Sequence, residues 1–263
     1  MSRTMIGDLS GEVAVVIGGT SGIGRAIAHG LAEAGADVVP TSRRMAHVDS
    51  TAREIEERGR RTLRIDSDVC DRASLEKLLK AVVEAFGKVD ILVNCAGRIQ
   101  VAPTMEFADD DWNAILDINL QGTLRACQVF GRHMIDRRYG RIINIASIGS
   151  FRALNQAAAY SASKAGVAAL TKSLALEWRP YGVCVNAIMP GVFVTDLNRK
   201  LLEGTARGQE FLLRTPMKRF GEVEELAGPA VYLASGLITG EILRVDGGML
   251  ASGVNAVPSR PGA

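Results

Sequence analysis

The chain is poor in the residues that make cross-links and metal cages. Its 263 residues include four cysteines, Cys70, Cys95, Cys127 and Cys184, which lie far apart and form no Cys-x-x-Cys pair. They read as reduced, mostly buried thiols of a cytosolic protein rather than as a disulfide framework. The three histidines, His29, His47 and His133, have no ligand spacing, so no metal site is expected. Charge of one sign is also scarce. Lys and Arg total 31 against 29 Asp and Glu, a formal net charge of +2, and the basic residues are scattered. That balance argues against a nucleic-acid or acidic-membrane partner. No apolar run approaches the ~18 residues of a membrane span, and no signal peptide is recognisable. The expectation is a soluble, cytoplasmic protein whose length suits one sizeable α/β domain.

What is present alternates. Residues 1–12 form a short polar lead, and Val13 to Ile17 is a β-branched run that reads as a strand buried on both faces. It runs into Gly18-Gly-Thr-Ser-Gly22-Ile-Gly24, and a helical pattern follows from Arg25 to about Ala34. Glycines in that position let backbone approach a pyrophosphate, and the helix N-terminus offers free N–H groups and positive partial charge. A second strand is expected over Ala36–Thr41, followed by Ser42-Arg43-Arg44. An acidic residue there would bind ribose hydroxyls; a hydroxyl and two guanidinium groups suit a 2′-phosphate, so NADP(H) is favoured over NAD(H).

Further on, the spacing predicts a charged helix near 48–59, a strand near Thr62–Ile65 leading to Asp68-Val69, and a helix over 75–86. A buried strand over Val89–Asn94 ends in Asn94-Cys-Ala-Gly97. One long amphipathic helix is expected from Trp112 to about Arg138, containing Asn119. A strand over Arg141–Ala146 delivers Ser147, a helix over 158–178 carries Tyr160 and Lys164, and a strand over Val183–Ile188 leads to Pro190-Gly191. Strands alternating with helices imply a parallel sheet covered on both faces, with ligands beyond the carboxyl ends of the strands. Gly18, Ser42, Asn94, Ser147 and Pro190 all fall at those ends.

Tyr160 and Lys164 are one helical turn apart and share a face. A phenol with a pKa near ~10 is a poor proton carrier at neutral pH unless its phenolate is stabilised, and an ammonium one turn away would do that. Ser147 adds a hydroxyl that could hold a substrate oxygen.

Together these residues resemble the short-chain dehydrogenase/reductase family in its short, single-domain form, from about residue 11 to 250. The resemblance rests on Gly18-x-x-x-Gly22-x-Gly24, Asp68, Asn94-Cys-Ala-Gly97, Asn119, Ser147, Tyr160-x-x-x-Lys164, Pro190-Gly191 with Thr195, and Asp246-Gly247-Gly248. It implies one Rossmann-type doubly wound parallel sheet of about seven strands, in the order 3-2-1-4-5-6-7. It also implies a catalytic set in which Tyr160 exchanges the proton, Lys164 lowers its pKa and binds ribose, Ser147 steadies the substrate oxygen, and Asn119 holds a relay water. Cofactor contacts are expected from Gly18, Thr20, Ser21, Gly22, Ile23 and Gly24, and from Ser42, Arg43 and Arg44. Asp68 and Val69 would meet the adenine, Asn94, Ala96 and Gly97 the ribose side, and Pro190, Gly191, Val192 and Thr195 the carboxamide end. Family members are usually tetramers, and a homotetramer is expected here, with loose tails over about 1–10 and 252–263. One departure stands out: Ile17 replaces the threonine that usually braces the glycine loop.

The substrate pocket is expected from Arg98, Gly149, Arg152 and Gln156, under a lid over about 192–215 that closes on substrate. Arg98 and Arg152 would suit a hydroxylated or carboxylated ligand. The segment with Arg214-Thr-Pro216 looks like the gluconate 5-dehydrogenase type, which implies a polyol, sugar or sugar acid as substrate. The competing expectation is a 3-oxoacyl-(acyl carrier protein) reductase, with Arg137 and Arg138 docking an acidic carrier. A reading of another class, a catalytically silent cofactor sensor or scaffold, would require loss of Ser147, Tyr160 or Lys164, and all three are present.

Overall fold

A computed structural model describes residues 7–236 and 238–253. The expected loose tails fall largely outside these residues. In chain order, β1 (Val13–Ile17) leads to α1 (Gly22–Glu33), β2 (Asp37–Thr41), α2 (Met45–Glu57), α3 (Arg72–Phe86) and β3 (Ile91–Asn94). Then follow α4 (Asp109–Leu116), α5 (Gly122–Asp136), β4 (Gly140–Ile145), α6 (Ala158–Trp178) and β5 (Val183–Pro190). The chain continues through α7 (Arg199–Leu202), α8 (Ala206–Arg214), α9 (Ala227–Ser235) and β6 (Ile242–Val245). The strands form one sheet in the order β2-β1-β3-β4-β5-β6, every neighbouring pair parallel.

Successive residues of a strand face opposite sides, and both sides here are apolar. Val13, Val15 and Ile17 of β1 pack with Leu75 and Leu78 of α3, Phe130 and Met134 of α5, and Trp178 of α6. Ala14 and Val16 pack on the other side with Ile27 and Leu31 of α1, Ile55 of α2 and Leu233 of α9. This is the doubly wound arrangement that alternation implies. Among the described residues no helix is long and apolar enough to cross a membrane.

The sheet has six strands among the described residues, one fewer than expected, because the segment near Thr62–Ile65 does not join it. It runs beside β2, touching it through Val38 N–H to Arg61 O (3.1 Å) and Ser67 N–H to Ser42 O (3.1 Å). The next donor that β2 would offer outward after Val38 belongs to Pro40, which has no N–H. The Thr41 hydroxyl instead donates to Ile65 O at 2.8 Å. A side chain replaces the ladder, and β2 becomes the edge.

The long helix expected over 112–138 runs over 109–136 with a π-turn at Asp117–Gln121. The Gly122 N–H reaches back to Asp117 O, which widens the turn and carries Asn119 inward, where it is fully buried. The segment 192–215 is partly helical, with α7 and α8, and Phe193 bridges to Gly221.

Candidate active site

A cleft of about 810 Å³ opens along the carboxyl ends of β1, β2, β3 and β4. Its floor is the glycine loop. Gly18 has φ +78°, and a Cβ there would stand 2.6 Å from Ala96 N; Gly22 has φ +47° and faces Thr195, whose Cγ2 would lie 3.0 Å from an added Cβ. Both positions therefore require glycine. The loop is held from β2, where Thr41 O accepts N–H bonds from Gly18 (2.8 Å) and Gly19 (3.2 Å). Thr20 Oγ1 donates to Ser42 Oγ at 2.8 Å.

The start of α1 is built to receive an anion. Ser21 makes no side-chain cap bond, no acidic residue lies in the first turn, and residues 22–24 line the cleft. The leading N–H groups and the positive end of the helix dipole thus face it without competition. Ser42, Arg43 and Arg44 also line the cleft, both guanidinium groups are exposed, and neither has an ion-pair partner among the described residues. These features fit a dinucleotide with an additional phosphate on its ribose. Asp68, Val69, Ala96, Gly97 and Thr195 complete the walls. Asp68 is held in a turn by Cys70 N–H, which donates to its Oδ1 at 2.9 Å.

At the inner end of the cleft stand Tyr160 and Lys164, on the first turns of α6. The Lys164 Nζ donates to Ile145 O at 2.6 Å and lies 5.9 Å from the centre of the Tyr160 ring. Burial pushes Lys164 down to about 8. Burial raises Tyr160 above its ordinary value, a hydrogen bond with the Ser147 hydroxyl pulls it back in part, and the neighbouring Cys95 thiol raises it further. Desolvation is thus the largest influence on the phenol, and the hydrogen bond with Ser147 is what lowers it; Lys164 is not among the groups that shift it. Ser147, buried at the end of β4, accepts the Gly149 N–H at 3.0 Å, so the backbone of the following turn fixes its oxygen.

Asn119 is a clasp. Its Oδ1 accepts the Arg98 N–H at 2.8 Å, and its Nδ2 donates to Arg98 O at 2.9 Å and to Ser163 Oγ at 3.0 Å. Ser163 donates onward to the carbonyl of Tyr160 at 2.7 Å. The π-turn thus ties the segment after Gly97 to the helix of the reactive phenol, and both amide hydrogens of Asn119 are committed. A relay water at Asn119 would therefore be held through its oxygens, as a donor to the side-chain or main-chain carbonyl.

Other expected residues are placed elsewhere. The Asn94 side chain turns into the core, donating to Asn144 Oδ1 at 2.9 Å and to Cys127 Sγ at 3.4 Å. Pro190 and Gly191 lie off the cleft wall, and Val192 lines a smaller cleft beside Arg244. Arg98 lines the main cleft, but its guanidinium is engaged by Asp111 Oδ1 (3.0 Å) and Gln100 Oε1 (2.8 Å). Arg152 is exposed and donates to Ser252 O at 3.3 Å. Gln156, at φ +58°, is exposed and accepts the Ala102 N–H through its carbonyl. Sequence reasoning missed Cys95, Ile118, Asp196 and Leu197 as wall residues, and Ser163 as a support. For Cys95, Asp196 and Ser163 a signal was available, since Cys95 and Ser163 lie inside recognised motifs and Asp196 follows Thr195; Ile118 depends on the π-turn.

Fold and cleft together define an α/β protein of the dinucleotide-binding class. A family model described as short chain dehydrogenase matches residues 12–206. The chain is 40% identical over 246 residues to a 2-dehydro-3-deoxy-D-gluconate 5-dehydrogenase of Pseudoalteromonas atlantica, covering 92% of this chain and 97% of that one. It is 37% identical over 255 residues to a gluconate 5-dehydrogenase of Gluconobacter oxydans, covering 96% and 100%. The crystal structure of a gluconate 5-dehydrogenase from Burkholderia cenocepacia, in complex with NADP and tartrate, superposes with a TM-score of 0.90 at 38% identity, covering 94% and 98%. The chain belongs to the short-chain dehydrogenase family and resembles its gluconate 5-dehydrogenase members.

Proposed function

We propose that the protein is an NADP(H)-dependent oxidoreductase that interconverts a secondary alcohol and a ketone on a sugar acid or related polyol. The observation that carries this reading is the convergence of Tyr160 and Lys164, with the Ser147 hydroxyl bonded to the phenol behind them, in a cleft that also carries Arg43 and Arg44. NADP(H), when bound, supplies or accepts the hydride. The chain's residues manage the oxygen and its proton. Ser147, its oxygen fixed by Gly149, orients the substrate oxygen toward Tyr160. The Tyr160 hydroxyl gives a proton to the carbonyl oxygen in reduction and takes one from the alcohol in oxidation. Lys164 holds positive charge at the ribose side and, anchored on Ile145 O, stays within one turn of the phenol. Asn119 acts as a positioning residue through Arg98 and Ser163.

The segment over 192–215 serves as the lid. Its support is contact at both ends: Thr195 sits against the glycine loop, and Arg207 of α8 bonds to Asn155 O at 3.0 Å. The assembly is read as a homotetramer in the cytoplasm. Val129, Val167 and Leu174 are buried within the chain, whereas Leu120, Leu124 and Leu170 stay half-buried on α5, α6 and the turn before them, and Leu176 of α6 is exposed.

Carrier docking has less support. Arg137 donates to Val89 O and to the buried Asp90 carboxylate, both at 2.9 Å, and Arg138 donates to Pro180 O. The test follows the near-ultraviolet absorbance of NADPH with 5-ketogluconate and with acetoacetyl-CoA in parallel. Oxidation with the keto sugar acid alone is expected. Oxidation with the thioester alone would replace this reading by the reductase of acyl chains.

A further inference from the structure

Four arginines lie on or just after the segment over 192–215, and three of them are neutralised locally. Arg199 pairs with Glu203, Arg214 with Glu210, and Arg219 with Glu225. Arg207 is different. It has no carboxylate partner among the described residues, is half-buried, stacks 5.7 Å from the Phe211 ring centre, and spends one N–H on Asn155 O. A guanidinium has five N–H donors in a planar fork and stays charged at any working pH, so several donors remain for a ligand. Burial lowers the Arg207 pKa from its ordinary value, the direction expected for a desolvated charge without a counter-ion.

Its position matters more than its charge. Asn155 precedes Tyr160 by five residues, in the turn that opens α6. The next residue, Gln156, accepts the Ala102 N–H, so the segment after Gly97, the approach to Tyr160 and α8 meet at residues 155–156. The two arginines that sequence alone suggests for an acid are less suited: Arg98 is already paired with Asp111, and Arg152 is exposed.

We infer that Arg207 is the specificity-determining residue that receives the substrate's carboxylate, which makes the preferred substrate a sugar acid rather than a neutral polyol. This rests on the oxidoreductase reading above. An aldonate would complete the missing counter-charge by a two-point, charge-assisted contact, and a neutral polyol would leave the guanidinium unpaired.

The test compares wild type, Arg207→Gln and Arg207→Lys with NADP⁺, using D-gluconate and the neutral D-glucitol. In Arg207→Gln the ratio of kcat/KM for the acid to that for the polyol is expected to fall by about tenfold or more, mainly through KM of the acid, with partial recovery in Arg207→Lys. An equal loss for both substrates would reduce Arg207 to a clamp on Asn155 and overturn the inference, as would no change. If wild type turns over neither compound, the functional reading fails on its own account. Calorimetric titration of the NADP⁺-loaded protein still decides the arginine: gluconate binding lost in Arg207→Gln upholds the inference. No gluconate binding by wild type, or equal binding by both proteins, sinks it.

Discussion

Tyr160 is subject to opposing influences, and their balance sets the direction in which it acts. Burial and the Cys95 thiol favour the neutral phenol, and the Ser147 hydroxyl favours the phenolate. With its pKa above the ordinary value, the group is a ready acid at neutral pH, and its competence as a base grows as pH rises. Ketone reduction should therefore hold through neutral pH, and alcohol oxidation should climb toward alkaline pH. Tyr160→Phe should lower turnover by at least ~100-fold while cofactor binding, followed by fluorescence of bound NADPH, persists. Any residual oxidation should lose the alkaline climb; a variant that keeps both rate and climb would remove Tyr160 from proton transfer. At this scale the site was legible where chemistry fixes the residue type. Tyr160, Lys164 and the glycines could be read because few alternatives do their work. Asn94 could not, because an asparagine at a strand end can face cleft or core, and only the partners Asn144 and Cys127 decide which.

Among the elements, the helix that runs from α4 into α5 has a role that no periodicity announces. Its π-turn inserts Asn119 between the segment after Gly97 and α6, and both amide hydrogens are committed there. Asn119→Ala would leave the N–H and carbonyl of Arg98 without partners, at a cost of about 1–3 kcal/mol. The expected outcome is a lower melting temperature together with faster amide exchange around Arg98. Unchanged exchange at Arg98 would show that the clasp is dispensable. Apolar spacing is nearly the same for an α-helix with and without one widened turn, which is why the sequence pattern read through it. The segment at Thr62–Ile65 misled for the opposite reason. Its own residues suit a strand, but pairing depends on the neighbour, and Pro40 of β2 withholds the needed donor. The central strands were plain because each is apolar on both faces and so admits one environment.

Across the whole molecule, chemistry and stability occupy opposite edges of the sheet. At the edge away from the cleft, the Asp90 carboxylate, 1% exposed, receives Lys88 Nζ at 2.8 Å, Arg137 Nη2 at 2.9 Å and the Val13 N–H at 2.9 Å. It joins the starts of β1 and β3 to the end of α5. Asp90→Ala would leave the Val13 N–H without its acceptor and take the carboxylate from Lys88 and Arg137, and a loss of about 1–3 kcal/mol is expected in urea denaturation. Activity per folded molecule should be unchanged; a loss of activity at full folding would show that the two edges are coupled.

Thr41 shows what the cleft owes to its walls. Its carbonyl holds two N–H groups of the glycine loop, and its hydroxyl donates to Ile65 O and accepts from the Ser67 hydroxyl at 3.0 Å. One residue thereby fixes the loop, the end of β2 and the approach to Asp68 before anything binds. Conformational entropy at that end has already been lost during folding, so a ligand arriving there gives up mainly its own freedom. At the far end, under the closing role proposed for residues 192–215, order must be imposed at the moment of binding. If residues 192–215 close as proposed, the nucleotide is expected to bind before the substrate, and product-inhibition kinetics that showed random binding would count against that closure.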